Sequence, residues 1–381
     1  MLWLGYPGVA PDIALAVQRR LTSVTDAKLT TAQLSDELSG LDATFVPGAG
    51  MLCCSLRHRG EELLAQNAGV AAYAQYGKTM GIPLLYPWAN RLAAFDYSVA
   101  GRTVQVPHDR SRIALDDNGL PIHGVIGGRL EWELTDTPGP DARSGPDATP
   151  GSDARAGPDA TPDADATPGS DARSGPDATA VSDARSLAAT LTWSESEPQL
   201  FELFPFRHDL LYEARLVDRR LEIEVTVHAC GADVVPLAFG FHPYLSPAGV
   251  PREQWLIELP AMRHLALDPN QIPIGPAPTD TDQASSAQRF ELGAGQFDDG
   301  FDSVVEPARF SVAAGDRRIE VDFLRGYPCA QVYAPLSGSF ICFEPMTAPT
   351  NALRSGDGLR LLAPGERFRT GFSLRVEDLA A

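Results

Sequence analysis

The sequence predicts an all-β fold, and two observations carry the prediction. From about residue 28 onward, short apolar segments alternate with turn residues at the spacing of a sandwich or barrel. Within that pattern, residues 210–216 and 221–228 alternate apolar and polar side chains with period two, as strands with one wet face do. The 381 residues suffice for one large β domain or two ordinary ones.

Residues 1–30 read as an N-terminal extension, in which 12–21 have the pattern of a short amphipathic helix after Pro11. Pro7 and Pro11 interrupt its apolar residues and no basic region precedes them, so no signal peptide is expected. The predicted β domain occupies 31–137 and 187–379. Its opening residues 42–46, 48–50 and 51–58 read as strand, turn and strand, with Arg59 to Glu62 as the next turn. In 81–91, Pro83 and Pro87 exclude a central strand, and this apolar, aromatic segment ends in Asn90 and Arg91. Residues 95–106 form a hairpin pattern with Gly101 at its tip. His123 and Gly124 then stand beside the apolar Val125 and Ile126.

Residues 138–186 differ in kind. Short units such as GPDAT and SDAR recur irregularly, and almost nothing large and apolar is present. Such a segment buries too little surface to offset its ordering entropy, so it is expected to be a disordered insert. It separates 130–134 from 187–193, two segments that read as arms of one hairpin. Further short strands follow at 255–259, 264–267, 318–323, 330–334 and 340–343, the last delivering Glu344 at its end.

The net charge of −19 argues against nucleic acid or an anionic membrane as partner. No segment approaches the ~20 apolar residues of a spanning helix. Five cysteines, with Cys53 and Cys54 adjacent and no CxxC, suit a reducing, cytoplasmic setting.

Candidate site residues cluster around Phe241, His242, Pro243 and Tyr244, which follow the apolar run 234–239. Gly240 permits close backbone approach and Pro243 ends regular pairing, so His242 stands at a strand end with aromatic walls. Aromatic faces beside one polar tip suit a sugar; a core histidine satisfied by a backbone carbonyl is the alternative. Arg91 can fork onto oxygen acceptors or make an ordinary salt bridge. Glu344, after an apolar strand, can be a salt-bridge partner or a catalytic base.

The Asn90–Arg91 loop, the His123–Gly124 pair, the stretch from Phe241 to Tyr244, the acidic aromatic turn Phe297, Asp298, Asp299, Gly300 and Phe301, and the Phe343–Glu344 step occur in one order. In that order they resemble the aldose 1-epimerase (galactose mutarotase) family across roughly residues 35–378, the insert excluded. The resemblance implies a large β-sandwich with an open cleft on one sheet, a free aldose such as glucose or galactose as substrate, and no metal or organic cofactor. It further implies interconversion of α and β anomers through the open-chain aldehyde. By position, Glu344 is the base toward the C1 hydroxyl and His242 the acid toward the ring oxygen, with His123 beside that oxygen. Arg91, Asn90, Asp298 and Tyr244 hold the sugar. Asp299 competes with Asp298 for that role. A carboxylate and an imidazole bracket neutral pH, so one starts unprotonated and the other protonated.

Three other functions fit parts of the pattern. A hexose-6-phosphate epimerase would need basic residues for the phosphate, for which Arg129 and Arg207 are candidates. A sugar-binding protein without catalysis can share the fold. Two histidines and a carboxylate can also form a metal-binding facial triad.

Overall fold

The computed structural model describes residues 29–135, 185–247, 249–276 and 286–379. Most of the N-terminal extension and nearly all of the 138–186 insert lie outside the described residues.

Two large antiparallel sheets face each other. The first has nine strands in the order Glu133–Thr135, Ser186–Trp193, His208–Val217, Arg220–His228, Arg367–Asp378, Arg317–Arg325, Ala308–Ala314, Leu256–Leu259 and Gln288–Glu291. Period-two patterning builds it: Leu210, Tyr212, Ala214 and Leu216 pack inward, as do Leu221, Ile223, Val225 and Val227 on the next strand. The opposite face is polar, with carboxylates buried beneath arginines that reach solvent. Arg215 spans Glu222 and Glu224 at 2.9 Å each, and Arg309 grips Asp322. The arms on either side of the insert pair antiparallel, Leu134 opposite Ala189. The second strand of this pair begins at Ser186, slightly earlier than the sequence pattern suggests.

The second sheet orders Pro273–Pro276, Arg263–Leu267, Phe297–Asp302, Cys329–Ala334, Ile341–Met346, Gly240–Phe241 and Leu84–Leu85, with Tyr244–Leu245 also pairing with Ile341–Met346. Leu84–Leu85 is a two-residue strand at the edge, the place where flanking prolines are tolerated. Aromatic rings join the sheets, Phe241 to Phe372 at 4.8 Å and Phe310 to Phe343 at 5.5 Å between centroids. A four-stranded sheet, Ala32–Asp36 to Glu61–Glu62, adds to this core.

Two local expectations are corrected, and a helix is found where the sequence pattern assigned no element. Glu61 and Glu62 pair with His58 and Arg57 and extend the sheet instead of forming only a turn. Residues Val70–Tyr76 form a helix that Gly77 ends in the left-handed conformation. Glu344 lies inside its strand, not at the end. Pro345 is accommodated because the neighbouring ladder is interrupted there: Gly240 pairs with Met346 and Tyr244 with Cys342, and no pair falls between them.

Candidate active site

The exposed face of the second sheet is built by register. Gln331 lies opposite Glu344 and Gly300, and Tyr333 opposite Asp298 and Cys342. Residues directly opposite share a face, so Asp298, Gln331, Tyr333 and Glu344 come from three adjacent strands onto one side. Phe301, Ala330, Val332 and Phe343 go to the core. The same alternation separates the two neighbouring aspartates. Asp298 lines the cavity, whereas Asp299 pairs with His264 at 2.9 Å.

His242 follows the short strand Gly240–Phe241. Gly240 is needed for close approach, since a Cβ there would lie 2.5 Å from the Pro345 carbonyl oxygen. His242 N–H donates to the Pro83 carbonyl, which ties this segment to the edge loop. His123 sits within Pro121–Val125 with φ +64°, followed by Gly124 at φ +70°. A Cβ on Gly124 would meet the Tyr86 carbonyl oxygen at 2.2 Å, so only glycine lets this strand abut the loop carrying Asn90 and Arg91. His123 N–H donates to the Asn90 carbonyl at 2.8 Å.

These elements enclose a cavity of about 680 Å³. All seven residues assigned from sequence, Asn90, Arg91, His123, His242, Tyr244, Asp298 and Glu344, line it. His242 Nε2 is 3.2 Å from Glu344 Oε1, and both side chains are almost fully buried. The His242 ring stacks on Tyr244 at 4.3 Å and meets His123 edge-on at 5.4 Å. The Tyr244 hydroxyl is in turn 2.6 Å from the Thr79 hydroxyl. Arg91 does both things the sequence allowed. Its Nε donates to Asp116 at 2.9 Å, Nη1 to Asn90 Oδ1 at 2.9 Å and Nη2 to Asp298 at 3.2 Å, while the residue remains on the cavity wall. Gln331 donates to the other Asp298 oxygen at 2.7 Å.

Three buried polar atoms in this site, His123 Nδ1, His242 Nδ1 and Glu344 Oε2, have no hydrogen-bond partner among the described residues. His242 is thus not the core histidine satisfied by a carbonyl. Unpartnered buried polar atoms are costly unless a ligand completes them. Burial pushes Glu344 well above the usual carboxylate range, Asp298 adding to the rise and Arg91 opposing it. Burial lowers His242 to about 3 and takes His123 well below the usual imidazole value. Burial therefore favours a neutral carboxylic acid and a neutral imidazole. An ionised Glu344 facing a protonated His242, the pair expected at the start of catalysis, is disfavoured by burial alone, because a carboxylate and an imidazolium both lose hydration here.

Sequence inspection missed Thr79, Asp116, Gln331 and Tyr333, which also line the cavity. Arg129 and Arg207 do not line it: Arg129 donates to the Ser111 carbonyl and Arg207 pairs with Glu195. Among the described residues no group of three or more His, Cys, Asp or Glu side chains is arranged to hold a metal ion.

The fold is that of the galactose mutarotase-like class, a β-sandwich with, on one sheet, a cavity that holds a buried carboxyl–imidazole pair. A family model described as aldose 1-epimerase matches residues 178–375, just over half of the chain, and the chain belongs to that family. A galactose mutarotase-like protein from Clostridium acetobutylicum superposes with a TM-score of 0.65 at 14% identity, covering 92% of this chain and 99% of that one. A protein from Synechocystis sp. PCC 6803 gives 0.62 at 20% identity, covering 99% and 100%. Galactose 1-epimerase from Lactobacillus acidophilus NCFM gives 0.61 at 15%, covering 91% and 94%. At these identities the likeness is one of fold. Uncharacterized protein YihR of Escherichia coli K12 is 26% identical over 156 residues, 40% of this chain; the chain spans about half (51%) of the length of that curated relative.

Proposed function

We propose that the protein is an aldose 1-epimerase that interconverts the anomers of an aldohexose by acid–base ring opening and closure. The observation that carries this function is the buried His242–Glu344 contact of 3.2 Å within the cavity. Glu344 takes the proton from the C1 hydroxyl as His242 gives one to the ring oxygen. The C1–O5 bond breaks, an aldehyde forms, the C1–C2 bond rotates, and the reverse transfers close the ring on the other face. His123 hydrogen-bonds beside the ring oxygen, while Arg91, Asn90 and Asp298 hold hydroxyls and Tyr244 forms part of the wall.

The neutral pair favoured by burial gains a role in this scheme. Ring opening converts carboxylate and imidazolium into carboxylic acid and imidazole, so the pair is neutral while the open-chain aldehyde is bound. Desolvation thus favours the ring-opened side of the proton transfer. The hydroxyl at C1, donating to Glu344, offsets this bias in the closed-ring complex by hydrogen bonding to the charged form.

Polarimetry tests the proposal. Purified protein should speed the relaxation of fresh α-D-glucose or α-D-galactose solutions beyond the buffer rate, and Glu344→Gln should remove most of that effect. Sugar binding without any acceleration would favour a non-catalytic sugar-binding protein.

A further inference from the structure

We infer that Asp116 is a positioning residue: it holds the Arg91 guanidinium by its Nε edge, so that the Nη edge is left for the sugar. The inference rests on the sugar-binding role proposed above for Arg91. Three observations carry it. First, the two carboxylates on Arg91 are unequal. The Asp116 side chain is 6% exposed, and its Oδ2 accepts from Arg91 Nε at 2.9 Å. Its Oδ1 accepts from the Asn118 and Leu120 N–H groups at 2.9 and 2.8 Å. The backbone of one tight turn therefore fixes this carboxylate independently of Arg91. The Asp298 side chain is 27% exposed, and its contact with Arg91 Nη2 is longer, 3.2 Å. Asp116 is the fixed partner, and Asp298 the one open to a ligand.

Second, the hydrogen bonds of Arg91 leave a defined remainder. A guanidinium carries five N–H groups. Nε gives its hydrogen to Asp116, Nη1 gives one to Asn90 Oδ1 and Nη2 gives one to Asp298. One N–H on each Nη is left, a pair suited to neighbouring hydroxyls. Without the anchor at Nε, the guanidinium could turn both Nη groups onto Asp298, the geometry a carboxylate prefers. That would consume the two donors a sugar needs.

Third, the backbone ties this anchor to the rest of the site. Asp116 N–H donates to the Leu120 carbonyl at 2.9 Å, closing the turn between the paired strands Ile113–Leu115 and Pro121–Val125. The second of these strands carries His123. It also runs beside the Arg91 loop: Leu92 N–H donates to the Pro121 carbonyl, and Arg91 lies opposite Ile122. One hairpin thus presents both His123 and the carboxylate that sets Arg91. Asp117, the next residue, also lines the cavity but has no ion pair among the described residues.

Asp116→Asn in the full chain is the discriminating variant. The amide keeps an oxygen for the Asn118 and Leu120 N–H groups, so the turn is retained, but it turns an NH₂ toward Arg91 Nε, where two donors oppose each other. The expected result is a rise of about tenfold in Kd for D-glucose or D-galactose, the worth of one charge-assisted hydrogen bond, and a matching rise in the KM of mutarotation with kcat within a few-fold. In the Arg91→Met background the same change should alter kcat/KM by less than about twofold, because the group that Asp116 positions is gone. Single effects that multiply in the double variant, or an unchanged Kd and KM in Asp116→Asn, would overturn the inference. So would an equal loss from Asp117→Asn, which removes the same charge one residue away. NMR of the parent chain decides the matter if Asp116→Asn does not fold or the parent binds neither sugar. The Arg91 Nε–H signal, assigned by its loss in Arg91→Met, should exchange with solvent clearly more slowly than that of Arg207, whose side chain is 52% exposed; equal rates would overturn the inference. A parent that binds sugar without mutarotation would sink the epimerase, while a tenfold loss of that binding in Asp116→Asn would still uphold the role of Asp116.

Discussion

His208 and His242 are both enclosed, and burial lowers both, His208 to about 4 and His242 to about 3. Around His208 everything is satisfied. Nδ1 is 2.6 Å from the Phe206 carbonyl, the Tyr86 hydroxyl contacts Nε2, and Trp193 stacks on the ring at 5.6 Å. A carbonyl can only accept, so Nδ1 carries the hydrogen and Nε2 accepts from Tyr86, which fixes one neutral tautomer. Around His242 one nitrogen faces a carboxyl group that can give or take a proton, and the other has no partner among the described residues. Burial and a depressed pKa are common to both histidines, so neither marks a function. What distinguishes His242 is incomplete hydrogen bonding beside a cavity, which leaves its proton free to move.

The largest expected effect breaks this comparison at its reactive end. Glu344→Gln and His242→Asn should each lower the mutarotation rate by ~10²–10⁴, the usual worth of positioned proton transfer. Stability should respond in the opposite sense for Glu344. Its folded-state pKa lies above the unfolded value, so the native state is favoured by protonation below the ordinary carboxylate range and loses that advantage as pH rises through the folded pKa. Glu344→Gln should therefore melt no lower than the parent at neutral pH, the gap closing in acid. Near-normal mutarotation in folded Glu344→Gln would mean that the base is another residue.

The pH profile sharpens the same point. One proton shared by the pair is the active state, and it is lost or doubled at macroscopic values that belong to the pair. With His242 lowered and Glu344 raised, the acid limb moves below, and the alkaline limb above, those of an unperturbed pair near ~4.3 and ~6.5. A kcat/KM plateau wider than that interval is expected; a narrow bell centred between those values would show that the two groups titrate independently.

Arg91→Lys should raise KM by about tenfold with a smaller change in kcat. An ammonium cannot keep the fork that serves Asp116, Asn90 and Asp298 together, and one lost charged hydrogen bond is worth about that factor. Unchanged steady-state constants would place Arg91 outside sugar recognition.

His208→Leu tests the satisfied end. It strands the Tyr86 hydroxyl and the Phe206 carbonyl, each at a cost of about 1–3 kcal/mol if buried without a partner. Thermal melting should shift down while kcat and KM stay within a few-fold. A collapse of kcat at unchanged melting temperature would show that the two histidine regions are coupled.

Much of this site was legible because its chemistry sits beside backbone punctuation. Gly124, Pro243 and Pro345 are residue types that disturb strands, and the polar residue before each, His123, His242 and Glu344, stands out. Gln331 and Tyr333 carry no such mark, since they lie within the strand Cys329–Ala334. The signal available was a polar residue, Gln331, between Ala330 and Val332, but its side of the sheet depends on the pairing of Asp298 with Tyr333 and of Gln331 with Glu344. Thr79 lines the cavity beside Tyr244, its hydroxyl partner 165 residues away in sequence. The direction of the Glu344 and His242 shifts depends on the packing around both, which no local motif encodes. The strand boundary at Glu344 was misplaced for a related reason: Pro345 ends strands unless the neighbouring ladder has a gap, and that gap comes from His242 and Pro243, a hundred residues earlier.

The smallest effect is expected where neither histidine region is touched. The 138–186 segment leaves and re-enters the domain on paired strands, with Thr135 opposite Ala188. Its replacement must spare Arg185 and Ser186, because the Arg185 carbonyl accepts from Leu216 at 2.7 Å and Ser186 lies opposite Arg215. Exchanging 138–184 for a short Gly/Asn turn joins two strands that already lie side by side. Loop-closure entropy changes only logarithmically with length, so even a large deletion here alters stability little. The composition of the segment, poor in large apolar residues, gives it little to pack against either the core or the cavity. Mutarotation rate and melting temperature should therefore both stay close to those of the parent. A loss of rate with the fold intact would show that the segment covers the cavity, and a loss of folding would show that it packs on the sheet edge at Glu133–Thr135.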